Sequence, residues 1–179
     1  MATGTSPLLE SWSSFYVMTG SSAAALTGLM FIVITLVTGV DRLRRNPDGV
    51  SAFSTPTVVH FCAAFLVSAV LCAPWNSVVA PAVVLGIAAV VGVAYALRIT
   101  IRQKRVAGYD MDVEDWLCYT LLPLLAYTAL LVSAILVLTP SALYAVAGAV
   151  VLLILIGIHN AWDVVTFIAV NPPKDPPSQ

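Results

Sequence analysis

A chain of 179 residues with 60% hydrophobic and only 9% charged residues does not fit a soluble globular domain, in which about a quarter of the residues are charged. Eight lysines and arginines stand against nine aspartates and glutamates, and the net charge of −1 gives no indication of a nucleic-acid-binding surface. Long apolar runs in such a chain are typical of membrane-spanning segments.

Five apolar runs follow one another, and each is long enough to cross a bilayer as a helix, which takes roughly 20 residues. A span in lipid must satisfy its backbone internally, and the runs lack the alternation typical of barrel strands. The sequence therefore predicts an all-α integral membrane protein, with a single five-helix transmembrane domain over residues 1–170. The runs cover Phe15–Val40, Pro56–Pro74, Val78–Leu97, Trp116–Leu138 and Ala142–Val170.

The distribution of basic residues predicts the orientation of these spans. All of them follow the first run, follow the third run or lie in the C-terminal tail, and these three places fall on one side of the membrane. They are Arg42, Arg44, Arg45, Arg98, Arg102, Lys104, Arg105 and Lys174. Because basic connections stay in the cytoplasm, we expect the N-terminus outside and the C-terminus inside.

The lengths of the connections predict which helices are neighbours. Only a few residues join the second run to the third and the fourth to the fifth, so these pairs are expected to form two antiparallel helical hairpins. The proline-rich segment 171–179 cannot continue the fifth helix, and we expect a disordered cytoplasmic tail there.

The first predicted helix carries Gly20, Ala24 and Gly28 at four-residue spacing. Small residues at this spacing let two helices approach closely, so we interpret them as a helix-packing face. Thr35 and Thr38 extend this side of the helix, and a weakly polar stripe of this kind can also line a pore. The sequence leaves open whether the packing partner lies in the same chain or in another subunit.

The fifth predicted helix contains an unusual polar group near its end. His159 and Asp163 are four residues apart and share a helix face, which Asn160 flanks. A bare carboxylate in hydrocarbon costs at least about 2.5–3.5 kcal/mol, so it needs a partner or a function. Three interpretations stay open: an ion pair with Arg98 or with an arginine of the first cytoplasmic connection, a role in ion or proton passage, and binding of a lipid headgroup or small ligand.

His60 is a further ionisable group in a predicted span, about one turn into the second helix. One interpretation joins it to His159 and Asp163 in a pH-sensitive cluster, because histidine titrates near neutrality. The other interpretation is a solvated histidine at the membrane interface. Pro123, inside the fourth helix, is expected to remove a backbone hydrogen bond and to kink that helix.

Catalytic and metal-binding motifs are not recognisable in the sequence, so we expect no enzyme, no metal and no cofactor. The three cysteines form no CxxC pair and no cluster with histidine. A haem held by His60 and His159 from two helices is conceivable and testable by absorption spectroscopy.

The sequence leads to two functional hypotheses for a multi-pass protein of the cell membrane, plasma or inner. The first is a small homo-oligomeric channel or transporter that passes ions or protons along a polar pathway involving helices one and five. The alternative is a non-transporting scaffold or accessory subunit that binds lipid or a partner protein. Both hypotheses predict that the lipid bilayer surrounds the protein, and the first also predicts that copies of the chain associate with one another.

Overall fold

The computed structural model of this chain describes residues 6–38, 47–105 and 116–170. For residues 36–38, 47–54, 102–105, 164 and 167–170, only the helical backbone is described. The predicted tail and most of the basic residues used for the orientation therefore lie outside the described residues or their described side chains. Within the described part, five helices are long and apolar enough to cross a membrane. The prediction of an all-helical chain is confirmed for the described residues, and their five long apolar helices support the predicted multi-pass membrane protein.

The five long helices are preceded by one short helical turn, Pro7–Glu10. The fourth long helix begins as a π-helical turn, Leu117–Leu121, and continues as a regular α-helix over Leu122–Ile135. We label the long helices α1 Ser13–Thr38, α2 Pro47–Cys72, α3 Val79–Arg105, α4 Leu117–Ile135 and α5 Pro140–Val170.

Two helices extend beyond the apolar runs. α2 begins at Pro47, so Pro56 lies inside this helix, whereas the apolar run predicts a helix that starts at Pro56. α3 continues past Leu97 through the basic stretch to Arg105. Apolar content marks only the part of a helix that lipid surrounds, whereas helical hydrogen bonding carries on into the polar region.

The start of α4 shows how the chain accommodates Pro123. Proline at this position cannot donate a hydrogen bond to the carbonyl group of Tyr119, four residues earlier. The wider π-helical turn lies directly before it and ends at Leu121. The departure from α-helical geometry therefore occurs one turn ahead of the proline, as a π-bulge.

The helices pack in a spatial order that differs from their order in the chain. α1 packs along α2, α2 along α5, α5 along α4, and α4 along α3. α2 and α3 are joined by a short connection but touch only sparsely. α5 is therefore the central helix, and α1 and α3 are the outermost ones. We call the end at residues 73–78 and 136–139 the short-turn end and the opposite end, which α3 reaches at Arg98, the basic end.

α1 and α2 approach closely where small side chains meet. The hydroxyl groups of Thr19 and Ser68 are hydrogen-bonded at 3.1 Å, and both residues are buried. A β-carbon at Gly20 would lie only 2.9 Å from the Cβ atom of Ser68. Glycine at position 20 thus allows the two backbones to come together.

The short-turn end is closed by the N-terminal segment and by aromatic rings. The backbone N–H of Ser6 donates to the carbonyl group of Trp75 at 2.9 Å, and Leu9 of the short helix is buried. The ring of Trp12 meets that of Tyr144 edge-on, with 4.8 Å between the centroids. These contacts tie the beginning of α1 to the connection after α2 and to α5.

The connection between α4 and α5 contains two left-handed residues that are not glycine, Val137 with φ 51° and Leu138 with φ 50°. The N–H of Leu138 donates to the carbonyl group of Ser133 at 3.1 Å, and the N–H of Val137 donates to that of Ala134 at 3.0 Å. This pattern is a Schellman motif with valine where glycine is usual. Since a β-branched residue is strained at positive φ, the turn is held by its surroundings.

Replacing Val137 by glycine is expected to stabilise the protein. The left-handed conformation costs an L-residue roughly 1–2 kcal/mol, and glycine removes this cost. Glycine also raises the conformational entropy of the unfolded chain, which offsets part of the effect, so the net gain in the free energy of unfolding is about 0.5–1 kcal/mol. Val137 is 43% exposed, so the change loses little packing. Thermal denaturation in detergent measures the effect. The matched control is Val132→Gly within the regular part of α4, which should lower the midpoint, and a lower midpoint for Val137→Gly would contradict the prediction.

Candidate functional site

The buried face of α5 changes from apolar to polar near the basic end. Val146, Val150 and Leu153 are fully buried along this face, and Asn160 continues it with an exposed fraction of 0%. Neither the Oδ1 nor the Nδ2 atom of Asn160 has a hydrogen-bond partner among the described residues. A carboxamide thus lies at a core position of the helix bundle.

α5 and α2 are fixed against each other one turn away from Asn160. Gly157 is covered by the ring of Phe61, and a β-carbon on this glycine would lie 2.8 Å from the Cδ1 and Cζ atoms of that ring. Asn160 lies three residues further along α5, about 4.5 Å closer to the basic end. Because the two helices run in opposite directions, this level corresponds on α2 to the turn between Thr57 and His60, which are both buried.

His60 belongs to a buried polar pair that connects three helices. Its Nδ1 atom lies 2.9 Å from the hydroxyl oxygen of Tyr127 on α4, and both residues are only 2% exposed. The Tyr127 ring in turn lies directly on Gly92 of α3. His60 is therefore a bundle-core residue and not the solvated interfacial group that one sequence interpretation proposed.

The predicted contact between His159 and Asp163 is present. The Nε2 atom of His159 lies 3.2 Å from Oδ2 of Asp163, with side-chain exposures of 29% and 39%. The pair is therefore partly accessible, on the side of α5 next to the buried Asn160 face. The imidazole and the carboxylate therefore interact directly, and a carboxylate in a membrane helix is a group that attracts cations.

Arg98, one proposed partner of Asp163, lies exposed on α3. α3 packs along α4, whereas α5 lies on the other side of α4. The structure thus places Arg98 and Asp163 on helices that are not neighbours.

The predicted face of α1 divides into two parts. Gly20 is buried against α2, but Ala24 and Gly28 are exposed, and a β-carbon at Gly28 would meet nothing within 4 Å. Thr35 is also exposed, and its hydroxyl donates to the carbonyl group of Phe31 at 2.7 Å. A threonine that bonds its own helix backbone tolerates either lipid or water. The side chain of Thr38 lies outside the described part of the chain.

Several residues of the site were not singled out from the sequence. Tyr127 contacts His60 and is itself packed on Gly92. Tyr95 on α3 has a buried hydroxyl without a partner among the described residues. Glycine and tyrosine are both common in membrane helices, and tertiary contact alone distinguishes these positions. Asn160 has a usable signal, because it falls at i+7 from Leu153 and i+10 from Val150 on the face that becomes buried.

Within the described residues, no group of three or more histidine, cysteine, aspartate or glutamate side chains is arranged to hold a metal ion. Comparisons of the chain with protein-family models, with curated proteins and with solved structures find no match.

Proposed function

We propose that this protein is a small homo-oligomeric channel or transporter that passes ions or protons, with a polar pathway along α1 and α5. In this proposal the N-terminus and the short-turn end face outwards, and the basic end faces the cytoplasm of a plasma or inner membrane. The two hairpins, α2 with α3 and α4 with α5, then both turn on the outer side.

The observation that carries the proposal is the partly accessible pair of His159 and Asp163. An ionisable pair in a membrane helix is expensive, and its side chains face a water-filled or protein-lined path far more often than lipid. The side chains are 29% and 39% exposed, so the pair lies at the edge of the protomer, although the Nε2 atom of His159 itself is buried, 3.2 Å from Oδ2 of Asp163.

The packing of the protomer supports an assembly. The half of the bundle near the short-turn end is filled by fully buried Leu143, Val146 and Val150, so a path through one protomer would be blocked there. α1 is the least buried of the five spans, and its exposed side includes Ala24, Gly28 and Thr35. Copies meeting along α1 and the polar side of α5 would enclose a path between them.

Flux measurements on the purified protein in liposomes test this proposal. Asp163→Asn combined with His159→Ala should reduce proton or cation flux at least about tenfold, because both groups that attract and relay the charge are removed. The matched control is Asp175→Asn, the same chemical change in the tail, which should leave the flux unchanged. Equal flux through the double variant and the wild type would refute the role of these residues.

A scaffold or accessory subunit is the second candidate, and the exposed apolar surface of α1 favours it. Val17, Met18, Leu29, Phe31 and Ile32 are all exposed there, as they would be on a face that meets another membrane protein. This function predicts that wild-type liposomes leak no faster than empty ones and that gentle detergent extraction recovers one distinct partner at constant ratio.

A further inference from the structure

We infer that Asn160 anchors a buried water-binding site, through which the His60–Tyr127 pair is hydrated from the basic end. The inference starts from the carboxamide itself. Its exposed fraction is 0%, and both its acceptor oxygen and its donor nitrogen lack a partner among the described residues. Buried polar groups are almost always hydrogen-bonded, so a molecule outside the described protein atoms supplies the bonds.

The chemistry of the carboxamide identifies that molecule as water. Oδ1 accepts hydrogen bonds, whereas Nδ2 donates them, so the ligand has to donate and accept within a small volume. A cation would satisfy Oδ1 and leave Nδ2 without an acceptor, and an anion would do the reverse. Water matches both atoms and typically makes about three hydrogen bonds when buried.

The position of the site links it to the buried histidine. Asn160 lies one turn from the contact between Gly157 and Phe61, which places it at the level of Thr57 and His60 on α2. On its other side is the helix face of the partly accessible Asp163. Water at Asn160 therefore stands between the accessible side of α5 and the buried imidazole of His60, and it gives solvent protons access to this ring.

Nuclear magnetic resonance on the full chain in nanodiscs tests the site directly. The chain has four asparagines and two histidines, so spectra with selectively labelled asparagine and histidine are simple to assign. We expect a cross-peak between water and the side-chain amide of Asn160. We also expect the ring N–H of His60 to exchange with deuterium within the time of the measurement.

Two variants separate the bound water from a purely structural role of the amide. Asn160→Leu has a similar volume but cannot hold water, and it should slow exchange at His60 at least tenfold. Asn160→Ser keeps a group that donates and accepts, and it should leave the exchange rate within about threefold of the wild type. Exchange at His159, which is partly accessible, is the internal reference and should stay unchanged in both variants.

The inference is overturned if the wild-type protein shows no cross-peak between water and the Asn160 amide. It is equally overturned if Asn160→Leu leaves exchange at His60 unchanged. The wild-type measurement needs no variant, so it decides the matter even if a substitution impairs folding. Neither measurement depends on transport, and the result therefore stands apart from the flux experiments.

Discussion

Replacing Gly92 by alanine is expected to be the most damaging single methyl addition in the bundle, at a cost of about 2–5 kcal/mol in the free energy of unfolding. A β-carbon at this position would lie 2.6 Å from Cε1 and 2.7 Å from Cγ of Tyr127. The ring is almost fully buried, so it cannot swing aside. Moving it also draws its hydroxyl away from His60, and overpacking then adds to the loss of a buried hydrogen bond.

Thermal or denaturant unfolding in detergent measures the effect of Gly92→Ala. The matched control is Gly86→Ala on the same helix, where a β-carbon would lie at an ordinary 3.5 Å from the Cβ atom of Ala134. This control should be neutral or slightly stabilising, because alanine favours the helix. In a Tyr127→Leu background the clash is gone, and Gly92→Ala should add little. Equal costs in both backgrounds would show that the ring is not the cause.

Gly157→Ala is the second substitution with a large expected effect, about 1–3 kcal/mol through overpacking. The added methyl group would enter the ring of Phe61, which is 1% exposed and confined by the contact between α2 and α5. Since α5 is the central helix, separating it from α2 loosens both halves of the bundle. The expected result is a lower unfolding midpoint and, in native gels or chromatography, a more expanded particle.

Gly148 offers a control for this prediction on the same helix. A β-carbon at Gly148 would meet nothing within 4 Å, and the residue is exposed. Gly148→Ala should therefore leave the free energy of unfolding unchanged or raise it by up to about 1 kcal/mol. If both substitutions change the unfolding midpoint alike, the effect of Gly157→Ala comes from helix propensity and not from the contact with Phe61.

The number and type of the spans follow from the sequence because hydropathy and helix length depend on local composition alone. The ends of the helices do not follow from the sequence, since Pro47 and Arg105 lie in polar stretches. No change in hydropathy marks where the helix begins or ends there. The missing donor of Pro123 is visible in the sequence, but the position of the π-helical turn before it is not, because that position depends on the packing around α4.

The packed face of α1 illustrates what spacing cannot decide. A small side chain shows that another helix can approach closely at that position. Which of the small residues are actually covered depends on where the neighbouring helix lies. Because α2 alone packs along the length of α1, the buried face runs through Tyr16, Gly20 and Ala23 and leaves Ala24 and Gly28 outside. A helix with one partner buries one narrow stripe.

The candidate site could be predicted only where its contacts lie within one helix. His159 and Asp163 meet because both lie on one helix, four residues apart, and no tertiary information is needed. The pairing of His60 with Tyr127 joins residues that are 67 positions apart and depends on α2 and α4 both packing against α5. Asn160 was placed beside the His159 face, but only the helix order shows that it points into the core.

The spatial order of the helices has a consequence for how the chain is assembled during synthesis. α1 and α2 emerge from the ribosome first and can pair at once, and α3 and α4 can do the same. α5 emerges last, yet it lies between α2 and α4, which otherwise share no long contact. The last span to insert therefore supplies most of the contact between the two early pairs, which without it meet through the His60–Tyr127 pair and the sparse contact of α2 with α3. A ribosome that stops before Pro140 would leave two helical pairs joined only by these few contacts and by the chain itself.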